Sequence, residues 1–235
     1  MTSFNEGTGN KGTKVTIIGV GPGDNAFLTL KAKQAIEEAD LVAGFQTVLN
    51  VILPFTKNAE LCPMAYRDQE EVLDYAVNKV KEGKSLVVCA WGDLNVSAKE
   101  LLDRVRRRVD HVDLVPGISS VQIAMTRTGI SLEDVVFITL HKRDGVESAL
   151  QELVHYLKDD RRNIILLPSP YELMPAGIAA GVIDEGVPGD RKMTVFQRLT
   201  HDDEQSWSGS VSECAAITAD FSDLSIMIFH RPASD

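Results

Sequence analysis

The chain has 235 residues and a formal net charge of −10, long enough for one large α/β domain or two smaller ones with cores of their own. Apolar and charged fractions of 44% and 25% exclude a disordered or fibrous chain, and the acidic balance argues against a general nucleic-acid binder. No apolar run approaches the roughly 20 residues needed to span a bilayer.

In chain order, residues 1–12 are polar and Gly-rich, without the apolar centre of a signal peptide, so they read as a floppy tail on a cytoplasmic protein. Lys14 to Val20 (KVTIIGV) is a β-branched run ending in glycines, hence a buried strand. A helix follows from Thr29, whose hydroxyl can cap its first turn, through Glu38. Leu41 to Ala43 is a short second strand. Helical periodicity covers Gln69 to Lys81 and stops at Gly83; Leu86 to Ala90 is another buried strand. Ser97 to Arg108 is helical, and His111 to Val115 is a strand halted by Pro116-Gly117. Strands alternating with helices imply a mainly parallel sheet.

Beyond that point the expected order is helix Ile118–Arg127, strand Val135–Leu140, helix Glu147–Leu157, strand Asn163–Leu167 and helix Tyr171–Glu185. Two late strands, Lys192–Leu199 and Leu224–His230, flank a helical or irregular stretch and suggest antiparallel pairing in a mixed second sheet. The reading is therefore a two-domain α/β protein: a tail at 1–12, an N-terminal domain at 13–116 and a C-terminal domain at 117–235.

Cys62, Cys89 and Cys214 are widely spaced, which speaks against a disulfide framework or a thiolate zinc site, and Cys89 reads as a buried small hydrophobe. The five histidines form no HxH or HExxH pattern, so no metal site is expected. The basic run Arg104 to Arg108 reads as a solvated helix face suited to the negative end of the helix dipole.

Chemistry concentrates at strand ends. Gly19 to Asp24 (GVGPGD) follows the first strand, where α/β folds place ligands. It is not a Rossmann fingerprint, because Asp24 stands where glycine is needed and Asp40 precedes the second strand. Nor is it a Walker loop, since no GK[ST] follows. Taken alone it is equally a tight turn. Trp91 to Ser97 (WGDLNVS) repeats the arrangement; there Asp93 either accepts hydrogen bonds from a ligand or merely caps the next helix. Pro116 to Ser120 (PGISS) repeats it a third time. Three small, polar strand ends fit one ligand site better than three unrelated turns.

GVGPGD, the GD segment after a middle strand and VPGISSVQIA together resemble the signposts of the tetrapyrrole methylases, over nearly the whole chain from Lys14 to Arg231. Within that family PGISSVQ, Ile138 to Arg143 (ITLHKR) and Gln197 to Glu204 (QRLTHDDE) are similar to the branch acting at C5 of precorrin-7 or cobalt-precorrin-7 in cobalamin biosynthesis. The resemblance implies a mainly parallel N-terminal sheet and a mixed C-terminal sheet with the cofactor cleft between, a homodimer, and S-adenosyl-L-methionine as methyl donor. It places donor contacts at Pro22, Asp93, Val96, Ser120, Val121, Leu167, Gln197 and His230. One departure stands out: the family's GDPxxxG is here Gly92 to Ala98 (GDLNVSA), lacking the proline and the last glycine.

The implied substrate is a corrinoid tetrapyrrole carrying many carboxylates. His141, beside Lys142 and Arg143 at a strand end, is the candidate substrate-binding group, the two cations suiting ring carboxylates; the plain reading is an ordinary solvated strand end. Arg198 is a weaker candidate of the same kind, its alternative a structural salt bridge. The resemblance names no catalytic base. It leaves open action at another ring position, or a catalytically silent binding subunit, and the short chain implies a separate C15-methylating and decarboxylating partner.

Overall fold

A computed structural model describes residues 13–96, 98–141, 146–169 and 173–232. By internal contacts the chain divides after Ile118 into two compact units, with Pro22–Asp24 grouped with the second. The tail expected at 1–12, and Lys142 and Arg143, lie outside the described residues. Among the described residues no helix is long and apolar enough to cross a membrane.

The first unit is a five-stranded sheet ordered β3-β2-β4-β1-β5, every pair parallel. Its strands are β1 (Lys14–Gly19), β2 (Leu41–Phe45), β3 (Glu60–Met64), β4 (Leu86–Ala90) and β5 (His111–Val115). Its helices are α1 (Leu30–Glu37), α2 (Gln46–Ile52), α3 (Gln69–Lys81) and α4 (Lys99–Arg106). A strand's side chains alternate between faces, and a parallel sheet is covered on both. Hence Val15, Ile17, Leu86 and Val88 join one core with Leu73, Leu102 and Val105 of α3 and α4. Ile18, Val20, Val87 and Cys89 join a second core with Ala32, Ile36, Val48 and Leu49 of α1 and α2. Cys89 is fully buried, as expected of a small hydrophobe, and its thiol pKa is pushed up by burial.

Local signals explain the boundaries. Thr29 caps α1 by accepting from the Ala32 amide, and Gly83 follows α3 with φ +96°, a left-handed conformation that suits glycine. The pair α2 and β3 carries no such signal. Gln46–Ile52 is only 7 residues long, and β3 contains Pro63, tolerable because β3 is an edge strand.

The basic run matches the expectation of a solvated face at Arg106 and Arg107, which are exposed, but not at Arg104 and Arg108. Arg104 and Arg108 both pair with Glu70 of α3, and Arg108 Nε also lies 2.6 Å from Asp74. These guanidinium side chains are only 16% and 15% exposed and staple α4 to α3, because the intervening β4 crossover lays the two helices side by side on one sheet face.

The second unit holds α5 (Ser120–Thr128), β6 (Val135–Thr139), α6 (Val146–Asp159), β7 (Asn163–Leu167), α7 (Pro175–Asp184), β8 (Lys192–Gln197), β9 (Gln205–Ser210), α8 (Val211–Ala215) and β10 (Ser225–Phe229). Its sheet is ordered β6-β7-β10-β8-β9; β6 and β7 are parallel and the remaining pairs antiparallel. The sheet is therefore mixed, as expected. Its core joins Ile164, Leu166, Met193, Val195, Met227 and Phe229 to Leu153, Leu157, Ile178 and Val182 of α6 and α7. Helix α5 opens with a reciprocal capping box between Ser119 and Gln122 and ends at Gly129, φ +66°. Helix α7 starts at Pro175, in the first-turn position that proline favours; Tyr171, where the helix is expected to begin, lies outside the described residues.

Candidate functional site

In the first unit β4, β1 and β5 are neighbours and run in parallel, so the loops that follow them leave from one edge of the sheet. Their backbones interlock. The Gly92 amide donates to the Gly21 carbonyl at 2.9 Å and the Gly21 amide to the Gly92 carbonyl at 3.3 Å. Both glycines have positive φ, +90° and +59°. A Cβ on Gly19 would stand 2.4 Å from the Gly92 carbonyl oxygen and 2.7 Å from the Gly117 nitrogen, and one on Gly117 would stand 2.2 Å from that same oxygen. Real side chains do not fit at these distances, so Gly19, Gly92 and Gly117 lock the three strand ends together.

Asp93 stitches the edge. One carboxylate oxygen accepts from the Asn95 amide at 2.9 Å and from its side chain at 3.0 Å; the other accepts from the Gly117 amide at 3.1 Å. It is not the cap of α4, whose N-cap residue is Ala98 with no side-chain bond. The altered second loop keeps a closed path: the Val96 amide donates to the Asp93 carbonyl at 3.0 Å. Leu94, where the family pattern has proline, is buried with the α4 side of the core. Three backbone-lined strand ends with one carboxylate suit a ligand held largely by main-chain groups.

In the second unit β6, β7 and β8 point the same way, which brings Thr139, Leu167 and Gln197 to one edge. His141 follows β6, where the Leu140 amide donates to the Leu167 carbonyl at 2.8 Å and the His141 amide to Thr139 Oγ1 at 3.2 Å. The His141 side chain is open to solvent at its surface yet closely surrounded. Its pKa is lowered by desolvation, against which the bond from its ring to the Pro168 carbonyl works. Leu167 is buried. Gln197 Oε1 accepts from the Ser222 amide at 2.7 Å. Arg198 pairs with Asp203 at 2.6 Å, the structural salt bridge that was its plainer reading.

His230 stands apart from this group. Because β10 is antiparallel to β7 and β8, Ser225 faces Gln197 while Phe229 faces Met193, and His230 lies beyond Phe229 at the opposite edge. There its amide donates to the Lys192 carbonyl at 2.9 Å and its ring meets Thr194 Oγ1 at 2.9 Å. A five-residue strand puts about 17 Å between the two edges. The β10 residue at the Gln197 edge is the buried Ser225. Of the remaining candidates, Pro22 is half-buried in the glycine loop, and Ser120 and Val121 open α5.

With this geometry in view, the comparisons are specific. The model of the tetrapyrrole (corrin/porphyrin) methylases matches residues 14–215, and the chain belongs to this family. It is an S-adenosylmethionine-dependent C-methyltransferase. It is 31% identical over 218 residues to a probable cobalt-precorrin-7 C(5)-methyltransferase from Methanocaldococcus jannaschii, covering 92% of this chain and 97% of that one. Two solved structures share the two-domain fold. A precorrin-6Y methylase of cobalamin biosynthesis from Archaeoglobus fulgidus has a TM-score of 0.67 at 21% identity, covering 94% of this chain and 100% of that one. A cobalt-precorrin-4 methyltransferase has a TM-score of 0.75 at 23% identity, covering 93% and 95%.

Proposed function

We propose that the protein transfers a methyl group from S-adenosylmethionine to C5 of precorrin-7 or cobalt-precorrin-7 in cobalamin biosynthesis. The observation that carries this reading is the 31% identity to the Methanocaldococcus protein along almost the full length of both chains. In this proposal the donor is received by the interlocked loop edge of the first unit, with Pro22, Asp93 and Val96. Ser120, Val121, Leu167 and Gln197 complete the contacts. His141, Lys142 and Arg143 are the proposed partners of the macrocycle's carboxylates. His230 is left out, since its strand end lies away from Leu167 and Gln197. The active form is a homodimer in the cytoplasm, testable by light scattering.

The chemistry asks little of side chains. The enamine-like C5 attacks the sulfonium methyl, a carbon–carbon bond forms, the sulfur–methyl bond breaks and S-adenosylhomocysteine leaves, while a ring proton passes to a base. In-line positioning is the main demand, which agrees with an edge built from backbone and glycine.

The test is anaerobic incubation of donor and protein with precorrin-7, its cobalt form, or uroporphyrinogen III, followed by mass spectrometry. Gain of one methyl group by either precorrin-7 form supports the proposal. Methylation of uroporphyrinogen III alone moves the activity to another ring position, and donor binding without any transfer points to a different tetrapyrrole.

A further inference from the structure

The Pro22–Asp24 arm of the glycine loop groups with the second unit, although Gly21 before it and Asn25 after it group with the first. What holds it is the loop between β8 and β9. Thr200 Oγ1 accepts from the Asp24 amide at 3.0 Å. The His201 ring lies so close to Gly23 that a Cβ there would stand 2.5 Å from two of its atoms. Thr200 and His201 of QRLTHDDE thus pack onto Gly23 and Asp24, the end of GVGPGD.

The conformation of this corner is costly. Arg198 and Thr200 have φ of +52° and +68° without being glycines, and for a β-branched residue such as threonine that is a rare, strained state. Strain of this kind persists only where surrounding bonds over-determine it, and here they do. The Arg198 amide donates to the Leu224 carbonyl and its side chain to Asp203; the Thr200 amide donates to Glu204 at 2.8 Å. Glu204 in turn receives Arg127 of α5 at 3.3 Å. The hairpin needs none of this to turn: a glycine at position 200 would remove the strain. What threonine adds there is the hydroxyl that meets Asp24.

We infer that Thr200 and His201 are positioning residues for methyl transfer, holding Pro22–Asp24 in the conformation that receives the donor. The inference rests on the donor site proposed above. It assigns the β8–β9 loop the task of shaping Pro22–Asp24 without requiring either side chain to touch the donor.

The test combines two readouts on Thr200→Val, which keeps the shape and loses the acceptor, and Thr200→Ser, which keeps the hydroxyl. Hydrogen exchange followed by mass spectrometry reads the 20–26 segment in the ligand-free protein, and calorimetry reads S-adenosylmethionine affinity. The expected result for Thr200→Val is exchange at Asp24 faster by about tenfold and a Kd raised by about tenfold, the size of one hydrogen bond, with Thr200→Ser within about threefold of wild type. A Thr200→Val protein that melts earlier yet binds the donor like wild type overturns the positioning role, leaving a merely structural one. Unchanged exchange at Asp24 overturns it as well. Wild-type protein that binds no S-adenosylmethionine instead overturns the proposed function, and the role in donor binding with it, while the exchange result still judges the brace itself.

Discussion

In the first unit three loops are shaped by missing side chains, and in the second a single loop is shaped by side chains that are present. Gly19, Gly92 and Gly117 pack backbone on backbone, with the Asp93 carboxylate accepting from the Gly117 amide. The β8–β9 corner instead forces Arg198 and Thr200 into positive φ and holds them with Asp203, Glu204 and Arg127. The first solution tolerates almost no added atom, whereas the second depends on particular oxygens and nitrogens. Both shape loops that the proposal above assigns to the donor, but they fail in different ways, and this difference can be tested by mutation.

The largest expected effect is at the glycine lock. Gly117→Ala puts a Cβ 2.2 Å from the Gly92 carbonyl oxygen, where only backbone could move aside. A loss of about 3 kcal/mol in denaturant unfolding is expected, in the upper range for overpacking. A loss below about 1 kcal/mol would show that the three strand ends are looser than described.

Asp93→Ala comes next. It leaves the Gly117 and Asn95 amides without their carboxylate partner, and a charged hydrogen bond is worth roughly 1.5–3 kcal/mol. Because the loop path changes as well, calorimetry is expected to show S-adenosylmethionine affinity falling by roughly 10- to 100-fold. Unaltered affinity would mean that the second loop takes no part in donor binding.

The smallest effect is a pH dependence confined to the second unit's histidines. Burial lowers the pKa of His141, His201 and His230 below the ordinary histidine value. The unfolded chain then binds more protons than the folded one, so this contribution is complete above about pH 6.5 and is lost as pH falls through the folded values. Melting temperatures taken from about pH 7.5 down to about pH 5.5 are expected to fall less in His230→Gln than in wild type. Parallel curves would remove His230 from the account. The substitution keeps a polar group beside Thr194, so the hydrogen bond there need not be lost.

Most of the fold was legible in the amino-acid sequence because the first sheet is buried on both faces. Runs such as Leu86–Ala90, buried throughout, announce themselves without reference to any partner. Elements with weak periodicity did not: α2 is short, β3 carries Pro63, and β9 (QSWSGS) is a polar edge strand. The glycine-rich strand ends were visible as motifs, but their interlocking was not, since Asp93 and Gly117 are 24 residues apart. The same distance hid the pairing of Arg108 with Glu70 and Asp74, 38 and 34 residues away. That His230 lies at the opposite strand end from Gln197 was hidden as well, because the direction of a strand belongs to its pairing and not to its residues.

If the three strand ends of the first unit receive the methyl donor, as proposed, hydrogen exchange with S-adenosylmethionine bound slows in the segments 19–24, 91–96 and 116–121 and leaves β9 and α8 unchanged. Protection elsewhere in a donor-bound protein, with these three segments unaffected, would contradict the proposal.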